Sequence, residues 1–148
     1  MKWVTRENAN VDWIACPWLI RRFVDPDAEF LYVPRDQVME VAEREGAIPY
    51  DVPDVELGHV QGRCSFESIM LKYGLTSDPG LRELAKIVHA ADVSTDIDTS
   101  PEGRGLRAIA HGFALIHGLD DQRKIVLETP MYDALYAWCQ HQARGGAA

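Results

Sequence analysis

Cysteine is scarce in this sequence, and its placement excludes the common cysteine-based scaffolds. Cys16, Cys64 and Cys139 are odd in number and widely spaced, and the chain contains no CxxC pair. A disulfide-stapled domain needs an even set of cysteines, and a structural zinc site is usually built from closely spaced cysteine pairs. We therefore expect three reduced thiols.

Long apolar runs are absent as well. No stretch of eighteen or more apolar residues occurs, so the sequence predicts no membrane-spanning helix. The amino-terminal segment MKWVTREN has no apolar region after a basic start, so no secretory signal is predicted. We expect no membrane association and a cytoplasmic location.

Basic residues are outnumbered, with 15 lysines and arginines against 23 acidic residues and a net charge of −8. A chain this acidic repels phosphate backbones unless its arginines gather on one face. The sequence also lacks a glycine-rich phosphate loop and a Ser-His-Asp motif. We therefore expect no direct nucleic-acid binding by this chain alone. The ligand considered below is a small oxyanion or other small molecule.

The first 50 residues follow a β-α-β-α-β order. Strands are predicted at 2–5, 29–33 and 47–50 because apolar and β-branched residues cluster there between turn residues. A helix ending near Val24 and a second over 36–45, closed by Gly46, separate the strands. This order favours parallel strands joined by right-handed crossovers.

The rest of the chain is predicted to be helical. Apolar residues recur at helical spacing over 65–73, 79–91, 102–117 and 120–143, and Pro130 is expected to kink or split the last helix. With 148 residues and 47% hydrophobic content, the chain can bury one core. The predicted fold class is helix-rich α+β: a short β-α-β-α-β sheet unit followed by a bundle of about four helices, in one domain over 1–148.

Glu56 and His59 are the first candidate metal ligands. They lie three residues apart in an irregular stretch, and Gly58 between them permits a tight turn that brings both side chains to one cation. The alternatives are a loop salt bridge, or a histidine bonded to a backbone carbonyl.

His89 and Asp92 share one face near the end of a predicted helix. A histidine there is also stabilised by the helix dipole alone, and we expect Asp96 to be solvated. If Asp92 meets Glu56 and His59, the resulting nitrogen and oxygen site suits a divalent manganese, iron or zinc ion with open positions.

Cys16 and Arg21 with Arg22 form a second candidate group on the first helix. A thiol at a helix amino terminus is activated by the dipole, and the two guanidinium groups one turn later could bind a tetrahedral oxyanion. Arg6 and Arg63 are further candidate donors. The alternatives are a buried, inert cysteine and arginines that pair at the surface with nearby aspartates.

The segment from Cys64 to Glu67 is typical of a helix start, with Ser65 as the cap and Cys64 just before it. Glu67 is a candidate fourth metal ligand or a neighbour of the ligands, and equally an ordinary first-turn acid. Cys64, like Cys16, is a candidate to give electrons or to sense oxidation.

Four stretches together resemble the signature blocks of the chromate-resistance ChrB family. They are DWIACPWLIRRFVD (12–25), GAIPYDVP (46–53) with ELGH (56–59), CSFE (64–67) and MYDALYAW (131–138). The resemblance covers nearly the whole chain, but only the carboxy-terminal part of the longer ChrB proteins. It implies a role in bacterial chromate resistance, by sensing chromate or by limiting its accumulation.

Three hypotheses follow. In the first, Glu56, His59 and Asp92 hold a divalent metal and the domain acts on an oxyanion. In the second, the domain is a chromate-sensing regulatory module that performs no catalysis and acts through a partner. The third is a redox or hydrolytic enzyme with another substrate at the same metal. A homo-oligomer is compatible with each of them.

Overall fold

Short parallel strands form the amino-terminal part of the computed structural model, and helices form the rest. The structure describes residues 1–8 and 10–146. The elements in chain order are β1 (Lys2–Arg6), α1 (Val11–Phe23), β2 (Glu29–Val33), α2 (Val38–Glu45), β3 (Ile48–Pro49), α3 (Ser65–Lys72), α4 (Pro79–Asp92), α5 (Pro101–His117) and α6 (Asp121–Ala143). Two 3-10 turns, Arg35–Gln37 and Ser94–Thr99, precede α2 and α5.

The sheet has the strand order β2-β1-β3, and both pairings are parallel. Trp3 of the central strand pairs with Phe30 on one side and with Ile48 on the other. Trp3, Val4 and Thr5 of β1 are fully buried, as expected of a strand covered on both faces. The predicted helix-rich α+β class, with a β-α-β-α-β unit followed by helices, is confirmed.

Helix α4 is the centre of the helical layer. It packs against α1, α3, α5 and α6, and Leu81, Leu84 and Val88 are fully buried along it. Because α4 is held on all these sides, its last residue, Asp92, is fixed relative to α1 and α3. That end of α4 is where the polar residues described below converge.

Two features of the helical part differ from the predictions. Pro130 does not divide α6, which runs unbroken from Asp121 to Ala143. The carbonyl that Pro130 cannot satisfy belongs to Val126, whose residue is 66% exposed, so water can bond it. The 3-10 turn over Ser94–Thr99 was not predicted, because its sequence resembles a polar loop.

Several large apolar side chains are exposed at and near the turn from α5 to α6. Leu115, Ile116, Leu119 and Val126 are each at least 65% exposed there. None of the helices that the structure describes combines the length and apolarity needed to cross a bilayer. Formation of a homo-oligomer by this chain stays a prediction.

Candidate metal centre

Four side chains from separate parts of the chain converge beside the sheet: Asp12, Asp51, His59 and Asp92. One ligand atom from each lies within 4.8 Å of all the others. His59 Nε2 is 2.9 Å from Asp92 Oδ2, 3.3 Å from Asp51 Oδ1 and 3.8 Å from Asp12 Oδ2. Adjacent ligands of a metal with bonds of about 2.1 Å lie about 3 Å apart at right angles, so this spacing is close to a coordination shell.

The local fold explains how these residues meet. Asp12 lies in the first turn of α1, and Asp92 is the last residue of α4. Asp51 follows β3 with a left-handed φ of 51°. A Cβ on Gly58 would approach the Val52 carbonyl oxygen to 2.6 Å, so glycine is required for the close turn that precedes His59.

Ser65, at the start of α3, holds two of the carboxylates in place. Its backbone N–H donates to Asp12 Oδ2 at 2.7 Å, and its hydroxyl donates to Asp51 Oδ1 at 2.7 Å. Both bonds are buried. The two carboxylates are therefore oriented before any ligand binds.

The cluster has more negative charge than its own histidine can balance. Burial raises the pKa of Asp12 well above its ordinary value, and repulsion from Asp92 and Asp51 raises it further. Burial also raises the pKa of Asp51. Hydrogen bonds to Asp51 and Asp92 raise the pKa of His59 to about 10. Three carboxylates against one imidazole form a set that a divalent cation would neutralise.

One buried atom supports this interpretation independently. Asp12 Oδ1 is buried and has no hydrogen-bond partner among the described residues, while Oδ2 accepts from Ser65. An unsatisfied buried carboxylate oxygen is rare because it is costly. Three carboxylate oxygens and one imidazole nitrogen are donors that manganese, iron and zinc accept.

Glu56 lies outside this cluster. Its carboxylate is exposed and accepts from Lys72 Nζ at 3.0 and 3.1 Å. The neighbouring Leu57 is buried in the core, so Glu56 on the other side of the chain faces solvent. This corrects the expectation that Glu56 converges with His59 and Asp92, and the loop salt bridge kept as an alternative is what the structure shows.

Glu67 belongs to a second, neighbouring group with Cys64 and His89. His89 Nδ1 is 2.5 Å from Glu67 Oε1, and His89 Nε2 is 2.7 Å from Asp96 Oδ2. The expectation that Glu67 adds to the His59 site is therefore corrected. Asp96 is not simply solvated, because it contacts His89.

The two candidate reactive cysteines are fully buried. Burial raises the pKa of both thiols well above the ordinary value, and the nearby Asp12 raises them further. Cys16 lies in the interior of α1, which begins at Val11, so the helix terminus does not activate it. Cys64, not Ser65, is the N-cap of α3. The expectation that Cys16 is an activated thiolate is therefore wrong.

Arg21 and Arg22 do not face the cluster. Arg21 donates to the Ala28 carbonyl oxygen at 3.2 and 3.1 Å and lies 4.9 Å from the centre of the Phe30 ring. Arg22 donates to Asp133 Oδ1 at 3.0 and 2.6 Å. Both guanidinium groups therefore bond to other parts of the protein, and the expectation that Arg21 and Arg22 bind an oxyanion at the cluster is corrected.

Other arginines border the cluster instead. A cavity of about 240 Å³ is lined by Arg6 and Arg107 together with Asp51, His59 and Asp92. A neighbouring cavity of about 400 Å³ shares Arg6, Asp51 and His59 and adds Arg35 and Asp54. The cluster is thus reached from solvent through openings that carry guanidinium groups.

The comparison with known proteins decides the family. Residues 3–139 match the family model described as "ChrB, C-terminal domain". The chain belongs to the ChrB C-terminal domain family. The family resemblance inferred from the four sequence stretches is thereby confirmed.

A curated relative matches part of this chain. "Protein ChrB" of Cupriavidus metallidurans is 38% identical over 92 residues, which are 62% of this chain and 27% of that protein. The match thus spans about a quarter of the relative's length. No solved structure shows a significant match to the chain. All four residues of the cluster lie within the region that matches the ChrB domain.

Proposed function

We propose that this ChrB-family domain binds one divalent metal ion through Asp12, Asp51, His59 and Asp92, and serves chromate resistance by binding an oxyanion beside that metal. The observation that carries the proposal is the convergence of three carboxylates and one imidazole within 4.8 Å, with one buried oxygen of Asp12, Oδ1, left without a hydrogen-bond partner among the described residues. Most buried carboxylate oxygens in proteins are paired.

The donor set favours manganese, iron or zinc with open coordination positions. A bound ion of this kind would supply a Lewis-acidic position for an oxygen ligand. The side chain of His59 is 49% exposed whereas that of Asp12 is fully buried, so the accessible side of the site is the His59 side. Ser65 holds the inner carboxylates, which leaves the outer side for a ligand.

Arg6 is the residue that we propose to contact the oxyanion. Its guanidinium carbon lies 4.3 Å from the centre of the Trp13 ring, which fixes its plane. Its Nε is buried and has no hydrogen-bond partner in the described chain. Arg107 lines the same cavity. Guanidinium donors of this kind bind tetrahedral oxyanions through paired hydrogen bonds.

Metal titration tests the first part of the proposal. We expect about one equivalent of added manganese to bind the chelator-treated protein, because manganese prefers the oxygen-rich donors of this cluster. Asp92→Asn and His59→Ala should each lower the affinity about tenfold or more, because each removes a ligand. Glu56→Gln is the matched control and should bind like the unchanged protein. Full occupancy in both ligand variants would refute the proposed site.

Chromate titration of the metal-loaded protein tests the second part. Arg6→Gln should weaken chromate binding about tenfold, the loss expected for one charge-assisted donor. Arg22→Gln is the control, because Arg22 contacts Asp133 and not the cavity. Equal chromate affinities in the two variants would exclude Arg6 as the oxyanion contact.

The buried thiols favour binding without redox turnover over chromate reduction by this domain. Cys16 and Cys64 are fully buried with raised pKa values, so neither is a ready electron donor. A sensory module acting through a partner is therefore the second candidate function. It predicts that chromate bound to the reduced protein keeps its absorbance. Loss of that absorbance would instead show that chromate is reduced, with electrons supplied by oxidation of the protein's thiols.

A further inference from the structure

The group formed by Cys64, Glu67 and His89 has the composition of a second metal site. Sγ, one carboxylate oxygen and one ring nitrogen lie within 4.8 Å of one another. The thiol is buried, and the side chains of His89 and Glu67 are 18% and 30% exposed. An ion can therefore reach the group from the Glu67 side.

The start of α3 holds the thiol and the carboxylate together. The Cys64 backbone N–H donates to Glu67 Oε1 at 3.0 Å, and the Glu67 backbone N–H donates to Cys64 Sγ. This reciprocal capping places the two side chains side by side without help from a ligand. Helix α4 then presents His89 to both.

Asp96 orients the His89 ring in the way that carboxylates orient metal-bound histidines. Asp96 Oδ2 lies 2.7 Å from Nε2, so Nε2–H donates to it. Nδ1 then faces Glu67 Oε1 at 2.5 Å. In the metal-free protein a proton on Nδ1 fills this contact, and a metal ion bound by Nδ1 and the carboxylate would take the place of that proton. A carboxylate on the far nitrogen is the usual arrangement around a metal-bound imidazole.

We propose that Cys64, Glu67 and His89 form a second metal site, with Asp96 positioning the imidazole. A set with one sulfur, one nitrogen and one oxygen donor suits zinc, whereas the first cluster has only oxygen and nitrogen donors. The two sites are neighbours: Cys64 precedes Ser65, and His89 lies about 4.5 Å along the axis of α4 from Asp92. This second site is independent of the proposed oxyanion chemistry.

Cobalt titration of the whole chain distinguishes the two sites, because only a cobalt–thiolate bond gives a strong near-ultraviolet charge-transfer band. We expect about two equivalents of cobalt to bind, of which one gives the band. The band should be absent in Cys64→Ser and unchanged in the control Cys139→Ser. In His89→Ala, the cobalt affinity measured from the band should fall about tenfold. The band should also persist in Asp51→Asn, which removes a ligand of the first cluster only.

The unchanged protein alone can overturn the proposal, so the result does not depend on whether a variant folds. Cobalt binding without a charge-transfer band would remove the second site while leaving the oxygen-rich cluster intact. A band that survives Cys64→Ser would equally refute it. A band in a protein that shows no further cobalt binding would support the second site and refute the first.

Discussion

At the scale of single residues, Asp12 is the most constrained side chain of the metal cluster. It is fully buried, it is repelled by two other carboxylates, and one of its oxygens has no partner in the described part of the chain. Such an arrangement lowers the stability of the metal-free fold. Proteins commonly keep residues that lower folding stability where those residues are needed for function.

Asp12→Asn should therefore change stability and metal binding in opposite directions. The amide keeps an acceptor for the Ser65 N–H and removes one buried negative charge. We expect the metal-free variant to be more stable by ~1–2 kcal/mol, which exceeds the ~0.3–1 kcal/mol that an acid adds at a helix start.

Urea unfolding with a chelator, and again with excess manganese, measures both effects. In the chelator series the variant should unfold at higher urea than the unchanged protein. With manganese, the unchanged protein should gain stability and the variant should gain little. A variant that is less stable without metal, yet equally stabilised by manganese, would contradict this role of Asp12.

Metal affinity should rise with pH. His59 holds a proton up to a pKa of about 10 in the metal-free protein because it bonds Asp51 and Asp92. A metal ligand must be the neutral imidazole, so binding releases that proton. Affinity should increase about tenfold per pH unit between pH 6 and 8 for one proton released, and fall as the pH is lowered.

Calorimetry in buffers of different ionisation enthalpy counts the released protons. We expect about one at pH 7. The control is His59→Ala, whose residual binding should release fewer protons. An affinity that is constant between pH 6 and 8 would show that His59 is not a ligand.

Part of this site could be predicted from the sequence, and the reason for the omissions is physical. The turn at Gly58 indicated that His59 is presented by a tight loop, and helical spacing placed Asp92 at a helix end. Spacing could not show which side of the loop faces the core, so Glu56 was chosen although Leu57 turns it outward. Asp12 was not selected because an acid in the first turn of a helix is ordinarily explained by the helix dipole alone.

At the scale of elements, the contact between α5 and α4 determines how firmly the end of α4 is held. A Cβ on Gly103 of α5 would lie 2.7 Å from the Ala90 Cβ of α4, closer than two carbons can approach. The helices are therefore in near-direct backbone contact at this point. Gly105, in the same helix, has nothing within 4 Å of such a Cβ.

Gly103→Ala and Gly105→Ala form a matched pair. The first should lower the free energy of unfolding by ~1–3 kcal/mol, because α5 must shift from α4. The second should raise it by up to about 1 kcal/mol, because alanine is the better helix former. Urea unfolding of the metal-free variants measures both, and changes of the same sign would contradict the close contact.

The elements themselves were largely predictable. The cluster of apolar and β-branched residues at 29–33 correctly predicted both ends of β2. Gly46 ends α2 in the left-handed conformation expected of a C-cap. Pro130 does not split α6, because the effect of a proline depends on whether water can reach the released carbonyl, which only the tertiary fold decides.

At the scale of the whole molecule, the net charge of −8 and the cluster of carboxylates both oppose the approach of an anion. Arg6, Arg35 and Arg107 at the mouth reverse this field locally. A bound divalent ion would neutralise most of the charge within the cluster. Metal and oxyanion binding should therefore be coupled, each favouring the other.

We expect chromate to bind the metal-loaded protein about tenfold or more tightly than the chelator-treated protein. Titrations of chromate at fixed metal, and of metal at fixed chromate, should give the same coupling factor. Equal chromate affinity with and without metal would separate the arginine-lined cavity from the metal cluster.

The most direct test of the central claim is anomalous diffraction from crystals of the manganese-loaded protein, recorded at a wavelength where manganese scatters anomalously. We expect a peak within bonding distance of Asp12, Asp51, His59 and Asp92, and its loss in crystals of Asp92→Asn. Fully loaded crystals with no peak among these four residues would contradict it.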